Sequence, residues 1–235
     1  MVQQTLRISR SGLKLFLDCS RCFWLDKHHK IKRPFGFPYT LSAAVDYLVK
    51  QEFDKYRIKG TLPPVFKDEN LDAKLFSGPE LPEWRNNFKG ISYYDEDLDA
   101  VLFGAVDDVL EFSDGSLAVI DYKSSGSREI TIYDDYQKQM EIYTHILSKK
   151  GFSTQPNAYF VFYQVDKSGG GFENVLPFRE ILKTVSINSD WVPGVFEAAV
   201  EVARQKEAPI VQKHCDHCHY VEMASHLKII PDLNI

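Results

Sequence analysis

The sequence contains no apolar run close to the ~18 residues that a bilayer-spanning helix requires, and nothing in it points to a membrane. Its start, Met1-Val2-Gln3-Gln4-Thr5-Leu6-Arg7, lacks the basic segment and apolar stretch of a secretory signal, so a cytoplasmic location is expected. Positive charge is not in excess either. The 235 residues carry 28 Lys and Arg against 33 Asp and Glu, a net charge of -5. The overall charge therefore carries no electrostatic signature of a nucleic-acid binder, although a local basic face remains compatible with it. A carboxylate-rich metal site would itself add negative charge that bound cations offset. Internal repeats and low-complexity blocks are absent. Cysteine is scarce, four residues in all, and in a reducing compartment these are not expected to pair as structural disulfides.

What is present is the material of a core. Hydrophobic residues make up 44% and aromatics 13%, which excludes a disordered chain. The length suits one domain of ordinary size. We expect a single domain over 1–235, with an N-terminal helical part (1–60), a central sheet and helix (88–187) and a C-terminal helix and tail (188–235).

Leu13, Phe16, Leu17, Phe23 and Trp24 recur at roughly helical spacing and predict a helix or helix pair over 11–29, with Ser9 or Ser11 as a cap. Pro34, Gly36 and Pro38 then break the pattern. A second helix reads from Thr40, as its cap, to about residue 57, with Leu41, Val45, Leu48, Val49, Phe53 and Tyr56 on one face. The stretch 58–83, with Pro63, Pro64, Pro79 and Pro82, reads as a long surface loop. Strands follow at 88–94 and 101–112. Asp114-Gly115 is a strong two-residue turn signal joining the second of these to a strand over 117–122. An amphipathic helix is predicted over 134–149, with Tyr136, Met140, Tyr143, Ile146 and Leu147 as its stripe. A strand over 158–165, an extended stretch over 172–187 and a helix over 189–205 complete the pattern. This order suits a mixed α/β domain with helices packed on a central sheet.

The informative residues are Gly104-Ala105-Val106-Asp107, then Asp121-Tyr122-Lys123. Asp107 falls in the first arm of the predicted hairpin, and Asp121 and Lys123 near the end of the second. Side chains two apart on a strand share a face, so Asp121 and Lys123 project together and the hairpin can bring Asp107 beside them. Two carboxylates this close do not both ionise comfortably without a cation. With Mg²⁺ they form a hard-oxygen site with room for water and a phosphate, and the carbonyl of Tyr122 is a further ligand candidate. The metal lowers the pKa of bound water and neutralises the phosphate, while Lys123 orients or deprotonates the attacking water. A lone D-x-K would more simply be a surface ion pair. The apolar neighbours Val119, Ile120 and Val101-Leu102-Phe103 mark these strands as buried and change that balance.

With Gln139-Met140-Glu141-Ile142-Tyr143 added, the sequence resembles the RecB-type nucleases of the PD-(D/E)XK superfamily. Their pattern is G-x-x-D, then D-x-K, then Q-x-x-x-Y on the following helix, matched here in order and separation. The resemblance implies a restriction-endonuclease-like fold, a mixed central sheet flanked by helices. It implies a DNA nuclease dependent on Mg²⁺ or Mn²⁺, with metal ligation by Asp107 and Asp121 and catalysis by Lys123. It also implies DNA or active-site contacts from Gln139 and Tyr143. DNA, as single strands or duplex ends, is the implied partner, in repair or recombination, with a helicase, recombination or CRISPR component alongside. Many such nucleases carry a metal-binding His on an early helix. Here that helix has none, and Asp46 stands as a substitute ligand. The alternative is a catalytically silent nucleic-acid-binding or scaffold module that kept the fold.

All four cysteines fall in two C-x-x-C pairs, Cys19/Cys22 and Cys215/Cys218, and together can supply a four-thiolate site. Spacing alone suggests tetrahedral Zn²⁺. The resemblance implies instead a 4Fe-4S cluster joining the N- and C-terminal parts of the domain, as in AddB-type and CRISPR-associated exonucleases, although the family arrangement is one plus three cysteines rather than two plus two. Either way the site would close a loop of nearly the whole chain. His214, His217 and His219 flank the second pair. A basic run, Arg21, Lys27, His28, His29, Lys30, Lys32 and Arg33, could follow a DNA backbone or coat a solvated helix face. Tyr93, Tyr94, Tyr133 and Tyr136 could stack on unpaired bases or pack in the core.

Overall fold

The structure, a computed structural model, describes residues 5–34, 36 and 39–226. The break expected at Pro38 and the tail beyond residue 226 lie outside the described residues. A short strand that the sequence pattern does not announce, β1 (Leu6–Ser9), leads directly into α1 (Arg10–Asp18). Ser9 caps that helix, its hydroxyl accepting from Gly12 N at 3.0 Å, as expected of an N-cap serine. Cys19 is extended and ends α1, and α2 (Ser20–His29) starts from it without a loop. The predicted pair is thus two helices hinged at a cysteine.

The next helix, α3 (Thr40–Lys59), follows Tyr39, and Thr40 is its first helical residue rather than its cap. Only its C-terminal half packs as predicted. Val49 and Phe53 are buried, whereas Leu41 and Leu48 are 63% and 61% exposed. The stretch 58–83 is not a surface loop. It contains a 3-10 helix (Pro64–Glu69), strand β2 (Ala73–Leu75) and α4 (Leu81–Trp84), and it buries Phe66, Leu75, Phe76, Leu81 and Trp84. These elements are too short to show a period. Pro64 and Pro82 sit at helix starts, where the missing N–H has no intrahelical partner to lose.

The predicted strand over 101–112 is two strands in two sheets. β3 (Ile91–Asp95) and β4 (Ala100–Gly104) pair antiparallel, and β1 adds parallel to β4, giving the order β1-β4-β3. β5 (Asp108–Phe112) and β6 (Leu117–Ser125) form the expected hairpin about Asp114-Gly115, where Gly115 takes φ +81 and Ser116 donates to the Asp114 carboxylate. The five-stranded sheet runs β2-β5-β6-β7-β8, with β7 (Asn157–Val165) parallel to β6 and β8 (Phe178–Ser186) antiparallel to β7. Helix α5 (Asp134–Lys149) makes the crossover between the parallel strands. Helices α6 (Val192–Arg204) and α7 (Asp216–His226) follow; α7 occupies ground read from sequence as a tail. The mixed α/β architecture with helices against sheets is as expected, but with two mixed sheets in place of one. Among the described residues no helix is long and apolar enough to cross a membrane.

Alternation along β6 sorts the core. Leu117 and Val119 join the cluster that includes Met140, Ile142 and Ile146 of α5, while Ala118, Ile120 and Tyr122 join the one that includes Val49 and Phe53 of α3. Each large apolar side chain so buried contributes roughly 1.5–3 kcal/mol. Period two then puts Asp121 and Lys123 on the α5 side.

Beneath that surface lies a fully buried charge. Asp108 opens β5, and its carboxylate accepts from Arg57 Nη2 at 2.7 and 2.8 Å, Arg85 Nη2 at 2.6 Å, Tyr122 OH at 2.7 Å and Val109 N at 2.8 Å. Arg57 also donates to the Phe76 carbonyl, and Arg85 to Asp54 and, through Nε at 2.9 Å, to the Asp107 carbonyl. The network bolts the end of α3 and the segment after α4 onto β5. Removing the shared acceptor leaves two guanidiniums and a hydroxyl facing an apolar interior. Asp108→Ala is therefore expected to lower stability by about 3–5 kcal/mol in chemical denaturation. A loss below about 1 kcal/mol, the size of a surface pair, would contradict a desolvated network.

Candidate active site

The ladder between β5 and β6 pairs Asp108 with Ile120 and goes no further toward the end of β6. Asp107 is therefore not in a hairpin arm. It stands in the link between β4 and β5, one residue before the ladder begins. Beyond Ile120, β6 has lost its neighbour on that side, and Tyr122 N donates to Asp107 Oδ2 at 3.0 Å instead of to a strand. The N–H and C=O of a strand residue point to the same edge, so the Tyr122 carbonyl lies on the Asp107 side as well. The Tyr122 ring goes the other way, and its hydroxyl reaches Asp108. This separates the two adjacent acids: Asp108 is saturated by structural donors, and Asp107 is turned to an open cavity.

That cavity has a volume of about 720 Å³, and its walls include Arg10, Asp46, Asp107, Asp121, Lys123 and Gln139. Tyr122, Tyr136 and Tyr143 also line it. Asp121 is buried. Its Oδ1 accepts from Gln139 Nε2 at 2.6 Å, and Gln139 Nε2 lies 3.4 Å from Tyr143 OH, one turn further along α5. Gln139 is thus buried and bonded to a carboxylate, not solvent-facing. Asp121 Oδ2 meets Lys123 Nζ at 2.6 Å as an ion pair and has no other partner among the described residues. Burial first, and the Asp107 charge second, push the Asp121 pKa up to about 7 against the pull of Lys123. Lys123 Nζ also lies 4.7 Å from the centre of the Tyr136 ring.

The other wall comes from α3. Asp46 and Lys50, four residues apart on one face, are joined at 2.8 Å, and Lys50 Nζ is also 2.8 Å from Asp107 Oδ1. Burial raises the Asp46 pKa, and Asp107 raises it further. For Lys50, burial alone would lower the pKa, but Asp107 and Asp46 outweigh it and the net shift is upward. Asp46 does reach the cavity. Lys50 was missed from sequence, although its i,i+4 spacing from an acid was a readable signal. Arg10 was missed too, and no motif marks it. Its charge acts on Asp121 and Tyr143. Gly104 owes its identity to this corner: a Cβ there would lie 2.5 Å from the Tyr143 ring and 3.2 Å from Arg10 Cβ.

Two carboxylates and a strand carbonyl on one wall are hard oxygen donors, suited to Mg²⁺ or Mn²⁺. The buried Oδ2 of Asp121, whose one partner among the described residues is Lys123, is an oxygen that such an ion would reach.

The predicted basic run is largely spent on packing. Arg21 donates to the Pro209 carbonyl and Lys27 to the Arg7 carbonyl, His28 bonds the Ala203 carbonyl, and Arg33 reaches Asp18 and Cys215. Of the four tyrosines, Tyr93 packs against the core and Tyr94 is exposed, its hydroxyl on Asp99. Exposed Tyr133 and cavity-lining Tyr136 pack edge to face at 5.4 Å. The four cysteines lie together in a separate buried cluster.

Against known proteins, the family model of the PD-(D/E)XK nuclease superfamily matches residues 39–223. No curated protein matches in sequence. Among solved structures, that of SSO0001 aligns with a TM-score of 0.43 at 14% identity, covering 88% of this chain and 81% of that one.

Lys50 holds the place on Asp107 and Asp46 that a divalent ion would compete for. Its removal is expected to tighten Mn²⁺ binding on the order of tenfold, the effect of one nearby like charge in a partly screened site. Isothermal titration of Lys50→Met against the unaltered protein at fixed ionic strength measures this. Weaker binding in the variant would mean that the ammonium positions Asp107 rather than opposing the ion.

Proposed function

The chain belongs to the PD-(D/E)XK nuclease superfamily, and from that premise we propose that it is a metal-dependent DNA nuclease of the RecB-like type. The observation that carries the proposal is the pair Asp107 and Asp121 on one wall of an open cavity, with the buried Asp121 Oδ2 facing Lys123 Nζ at 2.6 Å.

Asp107, Asp121 and the Tyr122 carbonyl are the residues that would hold Mg²⁺ or Mn²⁺, with Asp46 across the cavity as a further oxygen donor. The bound ion would supply Lewis acidity toward a phosphate oxygen and acidify a water molecule. The remaining work falls to side chains. Gln139 fixes one oxygen of Asp121 and so sets the direction of the other. Lys123, at 2.6 Å from that second oxygen, is placed to orient the attacking water and, as an ammonium, to stabilise charge on the phosphate. Arg10 and Lys50 add positive charge where a scissile phosphate would sit, which offsets the lack of net positive charge on the chain. Tyr133 and Tyr136 offer aromatic faces near the cavity for an unpaired base.

A second reading, a nucleic-acid-binding module without catalysis, is favoured by one observation. Lys50 already neutralises Asp107 and Asp46, and α3 carries no His. Labelled single- and double-stranded DNA, incubated with and without Mg²⁺ or Mn²⁺, separates the two. The nuclease reading expects metal-dependent cleavage that falls at least ~100-fold in Lys123→Ala and in Asp121→Ala, both still folded by circular dichroism. Binding without cleavage by the unaltered protein would favour the second reading. Cleavage that survives in both variants would remove the mechanism.

A further inference from the structure

We propose that Cys19, Cys22, Cys215 and Cys218 form a mononuclear tetrahedral site for a single ion of the zinc class, and not the seat of an iron–sulfur cluster. The inference is independent of the nuclease reading, since it concerns a different part of the molecule. It rests on size. All four cysteines are buried and unpaired as disulfides, and every sulfur–sulfur separation is within 4.8 Å. Three contacts define the cage: 3.8 Å for Cys19 with Cys218, 3.7 Å for Cys22 with Cys215 and 3.5 Å for Cys22 with Cys218. A Zn–S bond near 2.3 Å puts the edges of a thiolate tetrahedron at about 3.8 Å. In a cubane each thiolate sits on its own iron and radiates away from the cluster, so its sulfurs stand on the order of 6 Å apart. A two-iron cluster separates its sulfurs into two such distant pairs. The observed separations match the cage of one ion and fall short of those that a cluster requires.

The surroundings agree. Cys19 precedes the first turn of α2 with Cys22 within it, and Cys215 immediately precedes α7 with Cys218 in its first turn. Both pairs therefore sit at helix N-termini, where N–H groups and the helix dipole favour thiolate. Arg33 Nη2 lies 3.5 Å from Cys215 Sγ and supplies a positive charge against the surplus negative charge of four thiolates around a divalent ion. Among the described residues no histidine joins the group: His219 bonds the Lys213 carbonyl, and the metal-competent group consists of the four sulfurs alone. A cavity of about 440 Å³ lined by Arg33, Cys215, His214 and Asp216 opens on one edge of the cage and gives an ion a way in.

The test uses the unaltered full chain, produced with both iron and zinc supplied and purified without oxygen. Bound metals and acid-labile sulfide are then measured, and the ion is exchanged for Co²⁺. The expected result is one zinc per chain, no labile sulfide, a colourless protein, and a Co²⁺ form with the intense visible bands of a sulfur-only tetrahedral complex. Iron with stoichiometric labile sulfide, or a brown colour that bleaches on reduction, would overturn the proposal. So would a chain that retains no metal and yields no tetrahedral Co²⁺ spectrum.

Discussion

Two carboxylates that repel each other share one cavity wall because cations are packed behind and beside them. Arg85 grips the Asp107 carbonyl while Arg57 and Arg85 together clamp Asp108, so the backbone that presents Asp107 is fixed from below. Lys50 and Lys123 then touch the Asp107 and Asp121 carboxylates directly. The arrangement is paid for by depth: Asp121 is buried deeply enough that its proton affinity rises to about neutrality. A hard cation entering this site would compete with Lys50 and Lys123 for the same carboxylate oxygens.

The break between β4 and β5 is the structural device behind that arrangement. Had the run from 100 to 112 continued as one strand, Asp107 would have paired opposite Asp121 in a regular ladder, with its side chain committed to a sheet face. Moving β4 into a second sheet frees the link, and Asp107 turns to cap the lone N–H of Tyr122. Gly104 at the end of β4 allows the Tyr143 ring to lie against the backbone at the place where the chain changes sheets.

Much of this was legible in the sequence where a local period or a motif spoke. The α5 helix, the Asp114-Gly115 hairpin and the positions of Asp107, Asp121, Lys123, Gln139 and Tyr143 on one cavity follow from apolar spacing and motif order. The two-sheet division did not, because the run from Val101 to Leu110, interrupted only by Gly104 and the Asp107-Asp108 pair, looks the same whether its halves pair with one sheet or two. The buried elements in 58–83 were hidden for a different reason: they span only three to six residues each, too few for any period to emerge. Arg10, Arg57 and Arg85 were invisible because their partners are remote in sequence and no spacing encodes them. The basic run misled in the opposite sense. Its charges are adjacent along the chain, but several are consumed by carbonyls brought in from α6 and the segment after it.

Those same contacts bear on how the protein is made. Trp24 donates to the Gln205 carbonyl, His28 bonds that of Ala203, and Cys19 meets Cys218, separations of 175 to 199 residues. Residues 203–218 are synthesised long after α2, so Trp24, His28 and Cys19 gain these partners only late in translation. The packing of α2 on α6 is thus a late, long-range step of folding.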